Sequence, residues 1–212
     1  MAIDSFYTWL GLGSPRVDRG TAERRRTAPR ALNEHEQRQL LRAAERRGVR
    51  DHALVALALD TGLREAELAA LDDADVPITA RTGKVRVLGK GGKVREVPLP
   101  ARTRPLITNW REHRPGLRGA QDPAPLFLAR GGRRVSARTV DHVIRQAGRA
   151  AGLDISPHTL RHTYATGLVR AGYDLVLVAS LLGHARVDTV RIYTLPTEAD
   201  VQAAVDSITV DY

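Results

Sequence analysis

The spacing of apolar and polar positions divides the chain into helical segments around one β-hairpin. From Asn33 onward, Leu40, Leu41 and Ala44 supply an apolar stripe at helical spacing. Asn33 with Glu36 has the capping-box pattern at its start, and Gly48 stops it, so the folded domain is expected to begin here. A second helix is predicted from Asp51 to about Asp60, ending at Thr61-Gly62. A third begins near Arg64, with Leu68 and Leu71 on one face, which puts Arg64 at a helix start just after a tight turn. Lys84 to Leu88 and Lys93 to Leu99 are β-type runs joined by Gly89-Lys90-Gly91-Gly92, a hairpin with Lys90 at its tip or edge. Ser136 opens a helix in which Val140, Val143, Ile144 and Ala147 repeat up to Gly152, and Pro157 opens another that runs to Gly172. Asp174 to Leu182 is nearly all apolar; periodicity does not separate a buried helix from a buried strand there, but the Asp before it and the Gly after it favour a helix.

At the ends the pattern is weaker. Asp4 to Leu12 reads as a short helix, and the stretch to Arg30, rich in Arg, Thr and Gly, as an exposed basic linker. Val201, Ala204, Val205 and Ile208 give the segment Glu198 to Ile208 an apolar helical face. The expected organisation is therefore a remnant helix and linker over residues 1–30, a main domain over 31–197 and a tail helix over 198–212. The expected fold class is α+β, mainly helical, with a small antiparallel β-sheet.

Composition adds a partner class. The 212 residues carry 33 Lys and Arg against 24 Asp and Glu, a formal charge of +9, which suits a polyanion, with nucleic acid the first candidate. A merely solvated basic surface is the competing explanation, and charge does not decide between them. With no Cys there are no disulfides and no thiolate metal sites. The start of the chain has no leader pattern and no apolar run reaches membrane-spanning length, so a cytoplasmic location is expected.

The residues that carry chemistry are basic. His158, Arg161 and His162 stand at i, i+3 and i+4, so a helix projects two imidazoles around a guanidinium from one face. A zinc site from the two histidines lacks the glutamate of the zinc-protease motif and would set a fixed cation beside the metal. A capped helix with exposed basic residues remains open as a bland alternative. Of the 33 basic residues only Lys84, Lys90 and Lys93 are lysine, all in the hairpin. An ammonium can give up its proton where a guanidinium cannot, which makes a hairpin lysine a candidate general acid; a turn lysine with no duty also fits. Tyr193 lies nine residues past His184 in a compact polar stretch. A phenol of pKa about 10 needs help to act as a nucleophile, and neighbouring cations are one way to favour its anion. Tyr164 reads as a packing residue, while Tyr7, Tyr173 and Tyr212 have no comparable setting. The only acidic cluster, Asp72-Asp73-x-Asp75, reads as a solvated turn rather than a Mg²⁺ site, and no P-loop is present. A site of Arg, His and Lys can stabilise a phosphoryl transition state without metal.

Together these segments resemble the catalytic domain of tyrosine recombinases of the phage-integrase and Xer type, from about Ala31 to Thr197. Thr61-Gly62-Leu63-Arg64-Glu65-Ala66-Glu67-Leu68 resembles the first-arginine box, and Gly89-Lys90-Gly91-Gly92-Lys93-Val94-Arg95-Glu96-Val97-Pro98-Leu99 the lysine hairpin. Ser156-Pro157-His158-Thr159-Leu160-Arg161-His162 resembles the His-x-x-Arg box, and Leu181-Leu182-Gly183-His184 followed by Tyr193 the last histidine and the nucleophile. The resemblance implies that Arg64, Arg161 and His184 hold the scissile phosphate, that Tyr193 attacks it, that Lys90 protonates the leaving oxygen and that His158 assists proton transfer, with Glu67 and His162 in support. It further implies double-stranded DNA as partner, a homotetramer on paired sites when active, and no metal or other cofactor. Family members usually carry an N-terminal DNA-gripping domain, of which Asp4 to Leu12 resembles only the end. A DNA-binding module with a silent site and a type IB topoisomerase-like relaxing enzyme are the alternative functions.

Overall fold

The computed structural model describes residues 30–89, 92, 94–114, 124–129 and 131–183 of the 212. The elements, in chain order, are α1 (Glu34–Arg46), α2 (Val49–Thr61), α3 (Glu65–Ala70), a 3₁₀ turn (Asp73–Asp75), β1 (Lys84–Leu88), β2 (Val94–Pro98), α4 (Arg104–His113), α5 (Ala137–Ala150), α6 (Pro157–Arg170) and α7 (Leu175–Leu182). The mainly helical α+β class is as expected, with β1 and β2 forming a two-stranded antiparallel sheet.

α2 is the hub. Every residue from Ala53 to Thr61 is buried, and a helix that is apolar all round is stable only when neighbours enclose it. α1, α4, α5 and α6 supply that enclosure. The helix starts obey local chemistry. Asn33 Oδ1 accepts the Glu36 N–H at 2.9 Å while Glu36 Oε2 accepts the Asn33 N–H at 2.8 Å. Asp174 Oδ1 accepts the Val176 N–H at 2.7 Å, and the apolar run that follows is the helix α7. Gly48 both follows α1 and caps α2, which therefore begins at Val49, two residues earlier than the pattern suggests.

Two features depart from the sequence reading. Helix α4 has no counterpart there, because only Ile107 and Trp110 of its residues are buried, too sparse a stripe to stand out. It is nonetheless anchored: Trp110 Nε1 donates to the Leu126 carbonyl at 2.8 Å, and its ring stacks on Phe127 at 6.3 Å. The Asp72-Asp73-x-Asp75 cluster is a corrected expectation. It is a knot of ion pairs rather than a solvated turn. Asp72 pairs with Arg134, whose Nη1 also donates to the Ala70 and Leu71 carbonyls at 2.8 and 2.9 Å. Asp73 takes Arg111 at 2.9 Å and Arg114 at 3.1 Å. The partners lie up to 62 residues away in sequence, beyond any local pattern.

In the sheet, Val85 faces Val97 and Val87 faces Arg95 on the inner side, while Arg86 faces Glu96 outside. Lys84 and Arg86 both pair with Glu96, at 2.8 and 3.3 Å, so Lys84 has a structural partner. Lys90 and Lys93 lie outside the described residues.

Where α5 ends, an added Cβ on Gly148 would stand 2.4 Å from Ile155 Cγ1 and 2.9 Å from the Leu153 carbonyl oxygen. Gly148→Ala is accordingly expected to lower stability by about 1–3 kcal/mol, as overpacked sites do. Urea unfolding would report it as a lower midpoint at unchanged slope; an unaltered midpoint would show that the turn yields freely.

Candidate active site

Among the described residues, Arg64, Glu67 and Arg161 gather where α2 ends. Gly62 terminates α2 with φ 61°, and a Cβ there would lie 2.5 Å from Tyr164 Cδ1, so the turn into Arg64 requires glycine twice over. Arg64 then caps α3. Its backbone N–H donates to Glu67 Oε2 at 2.9 Å and its Nη1 to Glu67 Oε1 at 3.0 Å. The Arg64 side chain remains 41% exposed and reaches solvent from this anchored base.

Arg161 comes from α6 and is 4% exposed. Its Nη1 donates to the Gly62 carbonyl and its Nη2 to the Leu182 carbonyl, each at 2.6 Å. Bonds from a charged donor to buried carbonyls contribute about 1.5–3 kcal/mol each. They join three segments: the turn before Arg64, the helix carrying His158, and the end of α7. That end is also the negative pole of a helix dipole, which favours a cation there. Gly183 closes α7 at φ 66°.

A residue that the sequence reading did not single out completes the arrangement. Arg95 on β2 grips Glu67 with both η nitrogens, at 3.0 and 2.8 Å, and donates Nε–H to the Leu181 carbonyl at 2.9 Å. The signal was present in strand alternation. Arg95 shares the inner face with Val85, Val87 and Val97, and a guanidinium there must find partners. Burial of Glu67 works to raise its pKa, but the hydrogen bonds and charges of Arg95 and Arg64 prevail and hold it below the usual carboxylate value.

His158 is exposed on the first turn of α6, while Arg161 and His162 are buried, so the three share a helical face but not a depth. His162 Nε2 lies 3.5 Å from Thr166 Oγ1. Burial, and then the charge of Arg170, lower the His162 pKa. Tyr164 packs against Gly62, and burial followed by the Asp60 charge raises its phenol pKa, consistent with packing rather than attack. His184 and Tyr193, like Lys90, lie outside the described residues, though His184 directly follows Gly183 in sequence.

The sequence pattern of the phage integrase family matches residues 30–199. The chain is similar to the tyrosine recombinase XerA of Pyrococcus furiosus, 32% identical over 209 residues that cover 97% of this chain and 71% of that protein. It is also similar to the tyrosine recombinase XerC of Corynebacterium glutamicum, 41% identical over 147 residues that cover 69% of this chain and 46% of that one. Among solved structures, the XerH site-specific recombinase bound to its difH substrate matches with a TM-score of 0.72 and 27% identity, over 85% of this chain and 55% of that one. The chain thus spans between 46% and 71% of the length of these two sequence relatives.

The buried histidine makes stability depend on pH. Its folded pKa is depressed below 6.5, so its contribution is intact above that value and lost as pH falls through the folded pKa. The unfolding midpoint is expected to fall as pH drops below 6.5, and less steeply in His162→Gln. Equal slopes in thermal melts of the two proteins would place the titrating group elsewhere.

Proposed function

The chain belongs to the phage integrase family and contains a tyrosine recombinase catalytic domain; from that membership we propose that it carries out site-specific recombination of double-stranded DNA through a covalent protein–DNA intermediate. The observation that carries the reading furthest is the buried Arg161, whose two carbonyl bonds draw the Arg64 turn and the end of α7 onto the helix of the His-x-x-Arg box. In the reading, Arg64 and Arg161 face the non-bridging oxygens of the scissile phosphate and His184 adds a hydrogen bond. Charge that builds in the transition state then meets donors already in place.

Tyr193 Oη attacks the phosphorus and its proton passes toward His158. The bond from phosphorus to the 5′ oxygen breaks, and Lys90 delivers a proton to that oxygen. The products are a 3′-phosphotyrosyl link and a free 5′-hydroxyl. Because the new phosphodiester keeps the bond energy of the old one, the hydroxyl of a second strand can reverse the step without ATP, which is strand exchange. Glu67 and His162 support the site by orienting its cations. No metal is required by this chemistry, since the charge is met by arginine, histidine and lysine.

The active form in this reading is a homotetramer on paired sites. The apolar face of Val201, Ala204, Val205 and Ile208 is the segment that would dock between protomers. XerH was captured with its difH substrate, which supports DNA as the partner. Access to chromosomal or mobile DNA suits a cytoplasmic location, and among the described residues no helix is long and apolar enough to cross a membrane.

Covalent trapping tests the proposal. Incubated in EDTA with nicked duplexes of randomised sequence, the chain is expected to give a DNA-linked band on a denaturing gel that maps to Tyr193 and is absent in Tyr193→Phe. DNA binding without any adduct would instead point to a module that binds but does not cut.

A further inference from the structure

Arg95 has a bonding pattern that exceeds what a hairpin needs to stay folded. Its side chain is 13% exposed, and three of its N–H donors go to acceptors outside the sheet, two on Glu67 and one on Leu181. An added Cβ on Gly183 would fall 2.7 Å from Arg95 Nη1, so the last residue before His184 packs directly on the guanidinium. The Glu67 carboxylate, itself 10% exposed, divides between Arg95 and Arg64.

We propose that Arg95 is a positioning residue for strand cleavage: by occupying Glu67 it determines where the Arg64 guanidinium stands, and through Leu181 it holds the end of α7 from which the chain runs to His184. This rests on the reading that Arg64 meets the scissile phosphate. Without Arg95, Glu67 keeps a half-satisfied buried charge. Arg64, the more exposed of its two partners, is then drawn inward to take both oxygens and leaves the phosphate. Arg95 touches no reacting atom; its effect is transmitted as a displacement, and a shift of about 1 Å in such a group can cost on the order of 10²-fold in rate.

The test uses the full 212-residue chain and the duplex recovered by covalent trapping, prepared with three scissile linkages. One is the natural phosphodiester. The second is a methylphosphonate, which lacks one charged oxygen and so relies less on arginine. The third has sulfur at the 5′-bridging position, a leaving group that needs no proton and so bypasses the lysine. Arg95→Gln is expected to slow adduct formation by about 10²-fold on the phosphodiester. The deficit persists on the sulfur-bridged duplex and shrinks sharply on the methylphosphonate, the pattern that Arg64→Ala serves to define. Arg95→Lys, which keeps the charge but loses the fork, falls between.

Because each comparison among linkages is made within one preparation, a lower folded fraction cancels. Equal deficits on all three linkages, a deficit abolished by sulfur, or no deficit at all would each overturn the assignment. A wild-type chain that cleaves none of the three would bring down the functional reading, and the role of Arg95 with it.

Discussion

A guanidinium removed from water must have its N–H groups met, because a buried cation without partners costs several kcal/mol. In this protein that requirement is answered with backbone carbonyls at helix ends. Arg161 reaches one carbonyl 99 residues away and another 21 residues away, and each lies two positions before a residue of the candidate site, Arg64 and His184. The geometry of the site is thus a by-product of satisfying a buried charge. Moving either loop would strip an acceptor from a cation that has nowhere drier or wetter to go.

The same device recurs through the fold. Arg95 meets the Leu181 carbonyl as Arg161 meets that of Leu182, so adjacent carbonyls at the end of α7 are held by side chains from β2 and α6. Arg134 gathers the carbonyls at the end of α3, and Arg111 those around the 3₁₀ turn. Lysine, a compact ammonium on a flexible stem, does not reproduce a planar fork that binds a carboxylate with one edge and a carbonyl with another. A chain that uses arginine as internal bracing has a physical reason to prefer it. That preference leaves the lysines of the hairpin standing out: Lys84 is accounted for by Glu96, while Lys90 is the one that donates a proton in the functional reading.

Glu67 is the point where bracing and chemistry meet. It caps the Arg64 backbone, pairs with the Arg64 side chain and receives the Arg95 fork. A carboxylate shared by two guanidinium groups stays ionised despite burial, and its charge fixes the balance between them. The residue that meets solvent and the residue that is tucked behind it are therefore energetically linked.

Local chemistry was enough to set out much of this protein from the sequence alone. Caps at Asn33, Ser136 and Asp174 marked helix starts because a side-chain oxygen must meet orphan N–H groups within one turn, and Pro157 marked another because its fixed φ suits a first helical position. Glycines between valine-rich runs marked the hairpin, and the order of the Arg64, Lys90, His158-Arg161 and His184-Tyr193 motifs pointed to the family. Helix α4 stayed hidden because two inward residues make no stripe, and the acidic cluster looked solvated because its arginines come from distant segments. Only the tertiary structure decided that Arg161 braces the backbone on two sides and that Arg95 belongs with Glu67. Those choices depend on which carbonyls are brought near a buried cation, a matter of long-range packing that no local spacing encodes.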